Sequence, residues 1–482
     1  MNYRLIFNII GRILCVEAAF MVPALIIALF AHESAAAIGF GWSVLATAGV
    51  GFALAAVKAK RSHFFARDGM AAVGLGWILV SVFGALPMYF SGAIPAFVDA
   101  CFETVSGFTT TGSTILADIE ALPMSVSYWR SFTHWLGGMG VLVFVLAIGP
   151  KYQKSGETLY VLRAESPGPV VGKLVPRMQQ TAVILYKIYI AMTLVQIVLL
   201  CIFGMPLFDA VTITFGTAGT GGFAIKNDSL ASYGTVCQAI TTLFMVLFSI
   251  NFALYYLLLI KDFRSVWKNE ELRVFLGIIV LAVAAIAIDV YPIFGSALSS
   301  VHHSAFQVAS IMSTTGYMTA DFDLWPQFSR TLLFLLMFVG AMAGSTGGGL
   351  KVVRISIIIK AVRRSIASAL HPNSVNLVHM DGERVDEDVV NGVKEYMLIY
   401  ILIMAGSVLL LSIDPFVDFE ASVTAVVTCL NNVGPGLGLV GPTCNFAEFS
   451  VFSKLLLSAD MLLGRLELFP ILILACPSAW KK

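Results

Sequence analysis

The chain has 482 residues, 58% of them hydrophobic and 12% charged, a balance too apolar for a water-soluble globular domain and typical of an integral membrane protein. Its formal net charge of +1 argues against a nucleic-acid surface or a polybasic tail, either of which needs a clustered positive excess. The seven cysteines (Cys15, Cys101, Cys201, Cys237, Cys429, Cys444 and Cys476) are scattered without paired short spacing, so neither a zinc site nor a disulfide framework is read from them.

The N-terminal "MNYRLIFNIIGRILCVEAAFMVPALIIALF" carries early arginines, but its apolar run is too long for a signal-peptide core and has no convincing cleavage site; it reads as a retained spanning helix. Stretches long enough to cross about 30 Å of hydrocarbon recur near 8–30, 38–58, 69–91, 128–149, 180–204, 233–260, 272–294, 330–360, 393–413 and 451–476. Lysine and arginine gather in alternate connections: 58–67, 151–187, 261–273, 351–394 and the C-terminal Lys481 and Lys482. The other connections hold Arg130, Lys226, Arg330 and Lys454, and Arg465 lies inside a span. With about 25 of the 30 basic residues on one side, the positive-inside rule places that side and both termini in the cytoplasm, and the acidic "LADIEAL" and "MTADFDLWP" outside.

Between the spans, on the outer side, lie four semi-apolar segments in register on a glycine: "DACFETVSGFTTTG" to Gly112, "DAVTITFGTAGTGG" to Gly222, "HSAFQVASIMSTTG" to Gly316 and "ASVTAVVTCLNNVG" to Gly434. They form an internal repeat. Each offers about ten helix-compatible residues before its glycine, half of what a crossing requires, so each must enter and return. Asp99, Asp209 and Glu420 stand where such half-helices start, where an acid complements the exposed amides of a first turn; the negative carbonyl end then points inward, toward something positive. Irregular backbone at membrane depth is tolerated only where it is buried in protein or lines a water-filled path. The threonines and glycines of "SIMSTTGYMT" satisfy that rule if their oxygens replace the water shell of a cation. A single such loop is equally well a polar turn between helices; four in phase with the spans suggest one pore built by one chain.

These segments resemble the TrkH/KtrB/HKT superfamily of potassium transporters over nearly the whole chain, and its TrkH branch in particular, because the first two spans look like that branch's extra N-terminal pair. The resemblance implies an all-α polytopic fold of four span, pore loop, span repeats with pseudo-fourfold symmetry. The expected units are residues 1–62 (two-helix extension), 63–152, 153–263, 264–366 and 367–482, the last with its preceding cytoplasmic loop. "TTTGST", "GTGGF", "STTGY" and "NNVGPG" look like the four filter segments. The carry-over makes Thr110, Thr111, Gly112, Thr220, Gly221, Gly222, Thr314, Thr315, Gly316, Asn432, Val433 and Gly434 the potassium-binding residues. Glycine at all four positions resembles the potassium-selective members, where sodium-selective plant members place serine first. The fourth loop, with Asn432 and Pro435, is the least regular.

Below the filter, "GAMAGSTGGGLK" (Gly340–Lys351) interrupts a helix with glycines that cost about 1 kcal/mol each at helical positions. Such a break either lets another helix approach or forms a plug. The resemblance implies an intramembrane gating loop here, Gly344, Ser345, Thr346, Gly347, Gly348 and Gly349, completed by Arg465. Arg465 alone also reads as a salt bridge with Asp460 or Glu467. His134 reads as a packing histidine, His302 and His303 as interfacial, and Glu103 as hydrogen-bonded behind the filter. The polar stretch from His371 is a solvated connection or a docking surface. The resemblance further implies a cytoplasmic nucleotide-binding regulatory ring of the TrkA type and a homodimer in the lipid of a bacterial inner membrane, with potassium as transported ion and no organic cofactor. A symporter coupling potassium to protons or sodium is the alternative, needing buried carboxylates such as Glu103, Asp460 or Glu467. An enzyme is disfavoured, because "GSTGGGLK" lacks the preceding strand and the Gly-Lys-Ser/Thr spacing of a phosphate loop.

Overall fold

The computed structural model describes residues 2–57, 65–140, 178–373 and 376–480. The C-terminal lysines and most of the basic clusters expected at 58–67 and 151–187 lie outside the described residues. What is described is predominantly helical, with one two-stranded hairpin, His379–Met380 against Glu383–Arg384.

Tyr3–Phe30 and Ser34–Ala55 pack closely as an N-terminal helical pair. Gly11 and Gly51 face each other there; a Cβ on Gly11 would approach the Gly51 carbonyl oxygen to 2.7 Å. In lipid there is no hydrophobic force between helices, so such small-residue contact and its dispersion energy hold the pair. The outward face carries exposed Trp42, Leu45 and Phe52, as a lipid-facing surface should.

The rest is built from four units. Each has a first long helix (Ala66–Phe90, bent near Ala85; Met178–Ile202; Glu270–Asp289; Glu387–Leu411), a short helix (Phe97–Phe108, Leu207–Gly219, Ala297–Met312, Phe419–Asn431) and a second long segment beginning Met124–Gly138, Thr235–Phe248, Gln327–Val339 or Val451–Arg465. The short helices have 12, 13, 16 and 13 residues, about 18–24 Å at 1.5 Å per residue, and none can cross a membrane. Asp99, Asp209 and Glu420 fall in their first turns, and the third, which reaches back to Ala297, has no acid there.

The second spans are not continuous helices: the break expected from the glycines of 330–360 is present, and the others need correction. The 233–260 stretch is two helices, Thr235–Phe248 and Phe252–Leu259, bent by 93°. Asn251 causes the restart: its side chain accepts the Ala253 amide at 2.9 Å, an N-cap that hydropathy cannot register. The 330–360 stretch is divided by the Gly340–Lys351 loop into Gln327–Val339 and Val352–Leu370. The 451–476 stretch ends its helix at Arg465, passes through Glu467 (φ 54°) and Leu468 (φ 70°), and resumes at Phe469–Ala475. Met124–Gly138 likewise gives way at Met139, ahead of Gly140 (φ 78°); the remainder of the expected 128–149 span lies outside the described residues.

The stretch after His371 is more than a solvated connection. Val378, Met380, Val385, Val390 and Val393 bury themselves with Val353, Ile357 and Ala361 of the helix Val352–Leu370.

Candidate functional site

The four short helices end at Phe108, Gly219, Met312 and Asn431, and each is followed by the same backbone excursion. Thr110 (φ 55°), Thr220 (φ 57°), Thr314 (φ 57°) and Asn432 (φ 54°) are left-handed, and two residues later Gly112 (φ 86°), Gly222 (φ 75°), Gly316 (φ 84°) and Gly434 (φ 105°) again have positive φ. Left-handed threonine is a genuine outlier because its branched Cβ crowds the following carbonyl. Its recurrence at equivalent positions means that the surrounding fold, and not local preference, sets the path of the chain. The fourth loop, irregular in sequence, follows it too.

The loops close into a ring. A Cβ on Gly112 would strike the Gly221 carbonyl, one on Gly222 the Thr315 carbonyl, one on Gly316 the Val433 carbonyl, and one on Gly434 the Thr111 carbonyl at 2.8 Å. Each loop thus abuts the next and the fourth returns to the first. Two hydrogen bonds fasten that return: Ser113 Oγ donates to the Gly434 carbonyl at 3.1 Å, and Asn432 Nδ2 to Thr111 Oγ1 at 2.9 Å. A cavity of about 130 Å³, large enough for several waters, opens on the ring with Gly112, Gly222, Gly316 and Gly434 in its wall.

Buried polar contacts hold the ring from behind. Glu103 accepts from Arg130 Nε at 2.5 Å, from Thr114 Oγ1 at 2.9 Å and from the Ile115 amide at 3.0 Å. Arg130 also donates to the Ala224 carbonyl at 2.8 Å, with its guanidinium 3.5 Å from the Phe223 ring centre, so one ion pair ties the first loop to the second. Tyr317 reaches from the third loop to the Ile213 carbonyl at 2.9 Å. His134 packs against Gly219 and Gly221 with Nδ1 2.7 Å from the Gly107 carbonyl, and His302 and His303 pair with Gln238 and Thr319.

Behind the ring the four helix breaks meet. The Gly340–Lys351 loop lies against the third and fourth ring segments: the Gly348 amide donates to Thr314 Oγ1 at 2.6 Å and the Gly349 amide to the Asn431 carbonyl at 2.9 Å. It reaches the second break through the Met342 amide to Ser249 (3.1 Å) and Thr346 Oγ1 to Phe248 (3.1 Å). Arg465, at the fourth break, donates to the Thr346 carbonyl at 2.8 Å and to the carbonyls of Gly137 and Gly138 at the first. Lys351 donates to the Gly347 carbonyl.

The TrkH family model, described as "Cation transport protein", matches residues 34–482. The chain belongs to the TrkH family. It is 36% identical over 405 residues to the Trk system potassium uptake protein TrkH of Salmonella typhimurium, covering 83% of each. It is 32% identical over 500 residues to that of Halomonas elongata, covering 100% of each. It superposes on the crystal structure of the potassium transporter TrkH from Vibrio parahaemolyticus with a TM-score of 0.88, at 30% identity and full coverage of both chains.

All twelve ring residues expected from the TrkH resemblance come together, and Gly344–Gly349 and Arg465 converge behind them. Of the two acids suggested as partners of Arg465, Glu467 pairs with Arg354 and Asp460 accepts Ser407 Oγ at 2.9 Å. Asp460 and Arg465 lie five apart on one helix, a spacing that does not place side chains on a common face. Sequence reasoning gives no role to Arg130, to Lys351 or to Glu271, whose carboxylate accepts the Ala343 amide at 2.8 Å. The signal for Arg130 is its position within the apolar 128–149 stretch, the same anomaly that marks Arg465.

Proposed function

We propose that the chain takes potassium into the cell across the bacterial inner membrane through the glycine ring, a channel-like path with a backbone-carbonyl selectivity filter. The observation that carries this is the closed cycle in which each ring glycine abuts a carbonyl of the next loop. Carbonyls of the segments Thr110–Gly112, Thr220–Gly222, Thr314–Gly316 and Asn432–Gly434 replace the ion's water, and the negative ends of four short helices favour a cation there. The inside-negative potential supplies about 2.3 kcal/mol per charge per 100 mV. The Gly340–Lys351 loop and Arg465 form the barrier beneath. At about 6 Å and an effective dielectric of about 20, a guanidinium opposes a monovalent cation by about 3 kcal/mol.

The channel-like reading is preferred over a coupled symport because two of the three carboxylates such a relay would draw on are ion-paired, Glu103 with Arg130 and Glu467 with Arg354, leaving Asp460, which accepts from Ser407. We infer the repeat boundaries, cytoplasmic termini and homodimer given above. The "Trk system" of the relatives' names supports a partner protein, for which a nucleotide-binding ring of the TrkA type is the candidate, docking on the hairpin side.

Tracer uptake into proteoliposomes holding this chain alone tests the reading: rubidium entry should follow an imposed inside-negative potential and exceed sodium entry. Uptake indifferent to the potential, or requiring a proton or sodium gradient, would favour the symporter.

A further inference from the structure

The Gly340–Lys351 loop is fastened at both ends by a carboxylate that the transport reading does not use. Glu271, in the first turn of Glu270–Asp289 and 6% exposed, accepts on Oε1 the backbone amides of Ala343 (2.8 Å) and Val353 (3.2 Å). One amide precedes the glycine run. The other follows it, in the first turn of Val352–Leu370, where helix amides have no partner within their own helix. The turn that carries Glu271 is itself held: Asn269 caps the Leu272 amide at 2.8 Å, and Asp381 of the hairpin accepts the Glu270 amide at 2.6 Å and Asn269 Nδ2 at 3.2 Å. The hairpin therefore holds the turn from which Glu271 reaches both ends of the loop.

We propose that Glu271 is the positioning residue that keeps the loop across the path, with Asp381 fixing the turn from which it acts. The proposal rests on the reading of the loop as the barrier. A carboxylate shared by two amides makes charge-assisted bonds, and its removal leaves two buried donors unpaired, so both ends of the loop are released together. The contacts between neighbouring ring loops are made by other residues; the bonds from the Gly348 and Gly349 amides to Thr314 Oγ1 and the Asn431 carbonyl go with the loop.

The test uses the full chain in proteoliposomes with a Ser345→Cys reporter in the loop, alone and combined with Glu271→Ala, Glu271→Gln, Glu271→Asp or Asp381→Ala. Two quantities are read: rubidium uptake, and the rate at which an impermeant maleimide modifies position 345, followed by mass spectrometry of that peptide. Glu271→Ala should raise both by at least about a hundredfold, as expected for losing two charge-assisted bonds. Glu271→Gln keeps an oxygen acceptor in place and should stay within about twofold of the parent. Asp381→Ala should move both in the Ala direction by less. An unchanged labelling rate in Glu271→Ala overturns the proposal whatever the uptake does. A Gln variant as open as the Ala variant overturns the acceptor role. Faster labelling without faster uptake supports the clamp and refutes the barrier reading instead. If Glu271→Ala does not fold, Glu271→Asp carries the test: its carboxylate is set back by one methylene, so faster labelling supports the clamp and parental labelling overturns it.

Discussion

Thr110, Thr220, Thr314 and Asn432 occupy a left-handed conformation that costs about 1–3 kcal/mol per non-glycine residue. Something must oppose that cost, and the Glu103–Arg130 pair is one such contact, fully buried and joining two loops. Removing one partner of a buried pair strands the other charge and typically costs about 3–5 kcal/mol, whereas replacing both is far milder. Accordingly, Glu103→Gln and Arg130→Met should each lower the unfolding temperature of the detergent-solubilised protein substantially, and the double variant should recover part of the loss; strictly additive losses would show that the pair is not the unit. The glycines and threonines of the ring were legible in the sequence because polar, helix-breaking residues at membrane depth need a reason. Arg130 was not, since at the edge of its apolar run it reads as part of an outer connection and its partner in another helix is invisible to spacing.

The elements that matter most are those that stop short. A half-helix announces itself by length, as Phe97–Phe108 and Phe419–Asn431 do. A break within an apolar run is harder to see. Gly340–Lys351 was legible from its glycines, but the Phe248–Phe252 bend turns on one Asn251 cap and the Arg465–Phe469 break on two left-handed residues that carry no composition signal. The breaks create the carbonyls that Arg465 engages. Replacing Arg465 with alanine removes three donated bonds from the loop and from the Gly137 and Gly138 carbonyls, together with about 3 kcal/mol of repulsion toward a cation. Rubidium uptake by Arg465→Ala should rise by up to about a hundredfold, measured at matched protein density. Uptake at or below the parental rate in a correctly folded variant would remove Arg465 from the barrier.

At the scale of the whole molecule, the chain builds by repetition what a tetramer would build by symmetry. The repeat was legible because the phase of the four glycines with the spans is a property of the sequence; the order in which the loops abut, and the closure of the fourth on the first through Ser113 and Asn432, are tertiary and were not. The symmetry is one of backbone more than of side chains: glutamate, isoleucine, glutamine and alanine occupy the position of Glu103 in the four units (Glu103, Ile213, Gln307, Ala425). On the proposed reading, in which peptide oxygens bind the ion, each unit should matter to selectivity.

Rubidium-to-sodium uptake ratios for the parent protein and for Gly112→Ser, Gly222→Ser, Gly316→Ser and Gly434→Ser, taken one at a time, measure this most directly. A side chain at any of these glycines meets a carbonyl of the neighbouring loop, so the ratio should exceed one in the parent and fall in all four variants. A parent that admits both ions equally, or a folded variant that keeps the parental ratio, would contradict a ring shared by four loops.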